Sequence, residues 1–236
     1  MITDAFRRAV ELVFTLDPYI LDVFLRSMRV SGAAVVLGLL IGLPLGSWLA
    51  LTRFPGRGLA IALLHTGFAL PPVVVGLFIY MLLSRSGPFP GLDMLFTPAA
   101  MILAQAVLAA PYVAGITLAA VQAVPETVRL EARALGATRL QALWAHMREA
   151  RLGLIAAVVA GFGAVISEVG AVLMVGGNVE GETRVLTTAI VLETRRGDFG
   201  AALAMGLVLL ALAFAVNAAL TRLQQAPLTR GAAPWS

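Results

Sequence analysis

Five apolar blocks, each long enough to cross a bilayer as a helix, constrain this chain more than any other feature. A hydrocarbon core of about 30 Å needs about 20 apolar residues at a helical rise of about 1.5 Å per residue. The blocks run roughly from Val23 to Leu51, Leu59 to Leu83, Pro98 to Val121, Leu152 to Val175 and Ala201 to Leu220. Three short separators carry turn residues: "TRFPGRG" at 52–58, "SRSGPFPGLD" at 84–93 and "RRGDFG" at 195–200. No internal repeat is evident. With 60% hydrophobic and 13% charged residues and a mean hydropathy of +0.93, the chain reads as an all-α integral membrane protein with five transmembrane helices.

The remaining residue types exclude much chemistry. There is no cysteine, so thiolate nucleophiles, disulfides and cysteine metal sites are absent, and His65 and His146 lie too far apart in sequence to form a local ligand pair. There is also no lysine, so all 17 basic residues are arginines. Without lysine the chain can form neither a Walker A site nor a Schiff base. No set of side chains resembles a catalytic constellation, and no metal or cofactor is expected on this chain. A net charge of +4 could fit nucleic acid, but the arginines are scattered between apolar blocks instead of forming a stripe with aromatics. Membrane lipid is the expected surrounding, and nucleic acid is not an expected partner.

Residues 1–20 read as an N-terminal amphipathic helix at the membrane interface, with Phe6, Val10, Val13 and Phe14 on one face. Acids interrupt it and no A-x-A-like site follows, so it is expected to be retained and not cleaved as a signal. Residues 21–223 form the membrane domain, and 224–236 form a C-terminal tail. Within the domain, 124–151 reads as two short helices. Pro125 and Glu126 suit a first turn, Gly136 a stop, and Thr138 with Gln141 a capping box that opens the second helix. Residues 176–199 read as a partly amphipathic surface segment. An odd number of spans puts the termini on opposite sides. The arginine distribution favours an outside N-terminus, with 52–58, 124–151 and 221–236 cytoplasmic.

Two features fall inside the apolar blocks. Pro71 and Pro72 each remove a helical hydrogen bond in the second block, so a kink at a wet cavity or against protein is expected there. Glu168 stands alone in "VISEVGAVLMVGGN" at 165–178. A carboxylate at this depth costs about 2.5–3.5 kcal/mol on insertion scales, which the apolar neighbours offset. Such a group faces protein or water, where it braces helices, limits how tightly an anion is held, or relays protons.

"VRLEARALGATRLQALW" at 128–144 resembles the cytoplasmic coupling segment of ABC transporter permeases, whose pattern is Glu-Ala-Ala, three residues, then Gly. Glu131, Ala132, Ala134, Leu135, Gly136 and Ala137 carry that likeness, although Glu131 stands one place nearer the glycine and the later proline is missing. With "ALPPVVVGLFIYMLL", "MREARLGLIAAVVAGFGAVISEVGA" and "SEVGAVLMVGGNVEGETRVLTTAIVLETRRGDF", the chain from about Leu21 to Leu223 resembles type I ABC permeases for tungstate, which are related to those for molybdate and sulfate. The resemblance implies a bacterial inner-membrane homodimer with its path between subunits. It also implies separate cytoplasmic ATPase subunits that use ATP and a periplasmic oxyanion-binding protein. Residues 131–137 would then couple to the ATPase, while Pro71, Pro72, Ser167, Glu168 and Asn178 would line the substrate path. An ionised Glu168 would repel a dianion, so Ser167, Asn178 and backbone N–H groups are the better donors. The rival reading is a secondary transporter with Glu168 as its proton site. The absent repeat and the coupling-like insertion weigh against it.

Overall fold

A computed structural model describes residues 2–15 and 17–225, and every regular element among them is helical. Helix α1 (Ile2–Phe14) precedes α2 (Pro18–Leu51), which is opened by Asp17: its carboxylate accepts from the N–H groups of Tyr19 at 2.9 Å and Ile20 at 3.3 Å. Pro18 at the first helical position needs no donor partner. At 34 residues, α2 is about 50 Å long at about 1.5 Å per residue, well beyond the hydrocarbon core, so it tilts or projects past it.

Helix α5 (Pro98–Ala123) is the central partner of α2. Gly38, Gly42 and Gly46 form a small-residue seam on α2: a Cβ at Gly38 would lie 2.8 Å from Ala109 Cβ, and one at Gly42 would lie 2.7 Å from Val113. Backbones come this close only where side chains are small, and dispersion between them then replaces the hydrophobic drive that lipid cannot supply.

The second apolar block is not a simple kinked span. It divides into α3 (Arg57–Thr66), a 3-10 turn at 67–69 and α4 (Pro72–Leu83), with a 97° bend between the halves. Two consecutive proline rings explain it, because Pro71 holds an extended ψ of 119° and Pro72 can start a helix but not continue one. The fourth block also breaks, into α8 (Arg151–Ile166) and α9 (Gly170–Gly176), with Ser167, Glu168 and Val169 between them. Helices α4 and α9 pack together, and a Cβ at Gly76 would lie 2.7 Å from Ala171 Cα. Helix α11 (Phe199–Gln225) completes the set. Among the described residues, three helices, α2, α5 and α11, are individually long and apolar enough to cross a membrane; up to five crossings result if α3 with α4, and the helix Arg139–Glu149 with α8, each count as one bent span.

Two further expectations change. The N-terminal helix packs on α11 through Ala9, Leu12 and Val13, with Arg8 paired to Asp198 at 3.2 Å, whereas Phe6 and Phe14 are 53% and 84% exposed. Its inner face is therefore rotated from the one that pairs the two phenylalanines. The stretch 176–199, expected at the surface, is exposed at 179–182 and 194–197 but buried at 183–189 and at Glu193. Thr183, Arg184, Leu186, Thr188 and Glu193 are buried there, the last three within α10 (Leu186–Arg196). Burial is possible because distant groups satisfy the segment's polar atoms. Ser27 Oγ accepts from Leu186 N–H at 2.8 Å, and Arg26 donates to the carbonyls of Gly181 and Arg184 at 2.7 and 3.3 Å. Arg184 reaches Tyr19 and Glu180. Burial works against its charge, yet those two groups hold its pKa above the ordinary arginine value. Of the expected tail at 224–236, the first two residues belong to α11 and the rest lies outside the described residues.

Candidate translocation path and coupling corner

The break in the fourth block places Glu168 one turn before α9. Its Oε1 accepts from Ala171 N–H at 3.0 Å, and its own carbonyl accepts from Thr187 Oγ1 at 2.9 Å. The half-buried carboxylate thus satisfies one of the donors that a helix start leaves open and sits at the positive end of the backbone dipoles. Ser167 is exposed, and its hydroxyl donates back to Gly163 O at 2.9 Å, so its proton is committed. Gly177 closes the other end of α9 at φ 70°, and Asn178 follows it, also left-handed, at φ 57°. Its amide donates to Thr188 O at 3.5 Å, and its Oδ1 is buried without a partner.

Pro71 and Pro72 enter the same neighbourhood through Val73. A Cβ at Gly170 would lie 2.6 Å from Val73 Cγ2 and 3.3 Å from Glu168 Oε1. The α4 start is poor in donors, since two of its first residues are prolines and the N–H groups of Val74 and Val75 both donate to Pro71 O. Val73, Val74, Leu77 and Phe78 are exposed along this helix. The arrangement gives an apolar wall with one carboxylate already spent on a helix cap. Of the five pathway residues, Ser167 and Glu168 lie at the α8–α9 break, which meets the start of α4, just after Pro71 and Pro72, through Gly170 and Val73. Asn178 stands at the far end of α9, about 10 Å along its axis.

Gln105, in the middle of α5, escaped the sequence reading. It is buried and donates from Nε2 to Val165 O at 2.9 Å, three residues before Glu168. A lone amide in an otherwise apolar block was the available signal, because a buried amide must find a partner.

At the opposite end, α6 (Thr127–Ala134) and α7 (Arg139–Glu149) meet at a sharp corner. Gly136 adopts φ +88°, where a Cβ would strain the backbone, and the N–H groups of Gly136 and Ala137 donate to Arg133 O and Ala132 O, each at 3.0 Å. The expected capping box is present: Gln141 N–H donates to Thr138 Oγ1 at 3.3 Å and Thr138 N–H to Gln141 Oε1 at 2.8 Å. Glu131, Ala134, Leu135 and Gly136 are exposed, while Ala132 and Ala137 are half-buried. Leu135 at the tip is 89% exposed, which is unusual for a leucine with no partner surface.

His146, unremarkable in sequence, ties this corner to the membrane helices. It is 2% exposed, and its Nε2 lies 3.0 Å from Val121 O near the end of α5. A carbonyl only accepts, so that nitrogen carries the proton. Helix α7 runs through Ala150 into α8 with a 63° bend, which links the corner to both α5 and α8.

Broken apolar helices around a lone carboxylate and an exposed two-helix corner define a membrane permease driven from outside the bilayer. Residues 42–227 match the family described as "Binding-protein-dependent transport system inner membrane component", and the chain belongs to that family of ABC transporter permeases. The chain is 43% identical over 205 residues to a "Probable anion ABC transporter permease protein" of Haloferax volcanii, covering 85% of this chain and 88% of that protein. It is 38% identical to the "Tungstate uptake system permease protein TupB" of Peptoclostridium acidaminophilum, over 95% of this chain and 98% of that one. The fold matches a solved amino acid ABC transporter with a TM-score of 0.69 at 19% identity, covering 91% of this chain and 96% of the other. The family places the chain in the inner membrane as a multi-pass subunit, with a separate ATPase and a binding protein as its general partners.

Proposed function

We propose that this permease carries a tetrahedral oxyanion, tungstate first and molybdate or sulfate next, as a homodimer whose N-terminus faces outward and whose C-terminus faces the cytoplasm. The carrying observation is the near full-length likeness to a tungstate uptake permease. The orientation rests on Arg53, Arg57, Arg129, Arg133, Arg139, Arg148 and Arg151 lying at the end that also holds the α6–α7 corner. In this reading residues 131–137 dock on the ATPase. Closure of the ATPase then moves α5 through His146 and α8 through its junction with α7. Pro71, Pro72, Ser167 and Glu168 stand at the narrow part of the path, and Asn178 stands toward its outer end.

Glu168 acts there as a brace, not as a ligand. Its cap on Ala171 fixes the α8–α9 break, and as a carboxylate it offers a dianion no donor. An apolar wall with few free donors suits passage better than capture, so selection among oxyanions belongs to the binding protein. The deciding experiment is reconstitution of the permease with its ATPase in liposomes. We expect uptake of tungstate that needs both ATP and the loaded binding protein and that falls when molybdate competes. Uptake persisting with an ATPase disabled in its nucleotide site would overturn the assignment in favour of proton coupling.

A further inference from the structure

Two adjoining cavities at the cytoplasmic end differ sharply in lining. One, of about 690 Å³, lies between the α2–α3 turn and the start of α6 and holds Arg53, Arg57 and Arg129. The other, of about 650 Å³, runs along the last turns of α2 against α6 and α7; Pro44, Trp48, Leu130, Leu143 and Met147 give it a mainly apolar wall, which Arg133 and Arg139 also line. They share Leu51, Thr52, Glu126 and Arg129, so the two form one amphipathic hollow.

The basic chamber has unspent donors. Arg57 uses Nε on Leu49 O at 2.8 Å and has no other partner among the described residues. Arg53 has none there. Arg129 pairs through one terminal nitrogen with Glu126 at 3.2 Å, while its Nε is buried and unpartnered. Three guanidiniums therefore face one carboxylate, and that carboxylate is 66% exposed. Guanidinium forks match phosphoryl oxygens in shape as well as charge. Trp48, half-exposed and stacked on Phe54 at 4.8 Å, lines the apolar chamber, and a tryptophan suits headgroup level.

We propose that this hollow binds one anionic phospholipid, its phosphate among Arg53, Arg57 and Arg129 and an acyl chain along Trp48, Leu143 and Met147. A free oxyanion shares the phosphate chemistry but leaves the apolar chamber unfilled. The lipid joins the α2–α3 turn to α6, so it stiffens the support of the coupling corner.

The test is native mass spectrometry of the complete permease–ATPase complex, released from membranes containing phosphatidylglycerol and phosphatidylethanolamine. Wild type is expected to retain phosphatidylglycerol preferentially. Arg53→Gln and Arg129→Gln should each lower that preference by about fivefold, and Arg53→Lys, which keeps the charge but loses the fork, should lower it less than Arg53→Gln. Arg85→Gln, on the opposite side, serves as the charge-matched control and should leave the preference unchanged. Co-purification of the ATPase at wild-type ratio shows that each variant is folded. Three results would overturn the proposal: equal preference in wild type and the Arg53→Gln variant, equal loss with Arg85→Gln, or bound tungstate or inorganic phosphate with no lipid in the wild-type complex.

Discussion

Glu168 shows how far a single residue can be read. Its place in an apolar block was visible, and so was the demand for a partner, but the partner is the backbone of its own next turn. That locates the charge within the broken helix and separates two variants. Glu168→Gln keeps an oxygen for Ala171 N–H and removes the charge, so membrane level and tungstate uptake should both stay near wild type. Glu168→Ala loses the cap and should lower stability by about 1 kcal/mol, seen as a fall in melting temperature of the detergent-solubilised protein. A Gln variant at normal level with uptake cut to half or less would give the charge its own role in transport. Gln105 and His146 carry the complementary lesson. Each looked like an isolated polar residue until a carbonyl from another helix, Val165 or Val121, was found beside it.

At the scale of elements, the coupling corner was the most legible part of the chain. Its signals are local: a glycine at positive φ, a Thr-to-Gln capping box and short amphipathic helices. The expected consequence is equally local. Among the described residues, no atom beyond its chain neighbours lies within 4 Å of a Cβ at Gly136, so a larger residue meets backbone strain of about 1–2 kcal/mol and not a clash inside the permease. Gly136→Leu should leave the permease in the membrane with near-normal yield while ATP hydrolysis no longer drives uptake. The check is the ratio of transported anion to ATP consumed in liposomes, and an unchanged ratio would remove the corner from coupling. The Pro71–Pro72 break was legible as an interruption but not as a 97° turn, because the angle depends on how α4 settles against α9. Residues 176–199 misled for a related reason. Their polar side chains suggested solvent, but Ser27, Arg26 and Tyr19 supply partners from more than 150 positions away.

For the whole molecule, the exposed apolar side chains of α3 and α4, among them Leu63, Val73 and Phe78, need either lipid or a second subunit. A homodimer encloses a path between copies, which a single chain with an open apolar wall does not. Light scattering of the purified permease, with detergent subtracted, should give the mass of two 24.7 kDa chains. A value for one chain would mean that the path is completed some other way.

The sequence by itself determined that this chain lives in a membrane, how many apolar blocks it brings there, where its two-helix corner turns, and that it cannot power transport through a lysine-dependent nucleotide site. These are properties that add up residue by residue or turn within a few positions. Tertiary structure alone decided that the fourth block breaks and how sharply the second turns, which face of α1 is covered, why 183–189 can be buried, and what Glu168 holds. In a medium without water, each freed backbone or side-chain group must be satisfied by another part of the protein. The identity of that partner is written in the packing, not in the neighbouring sequence.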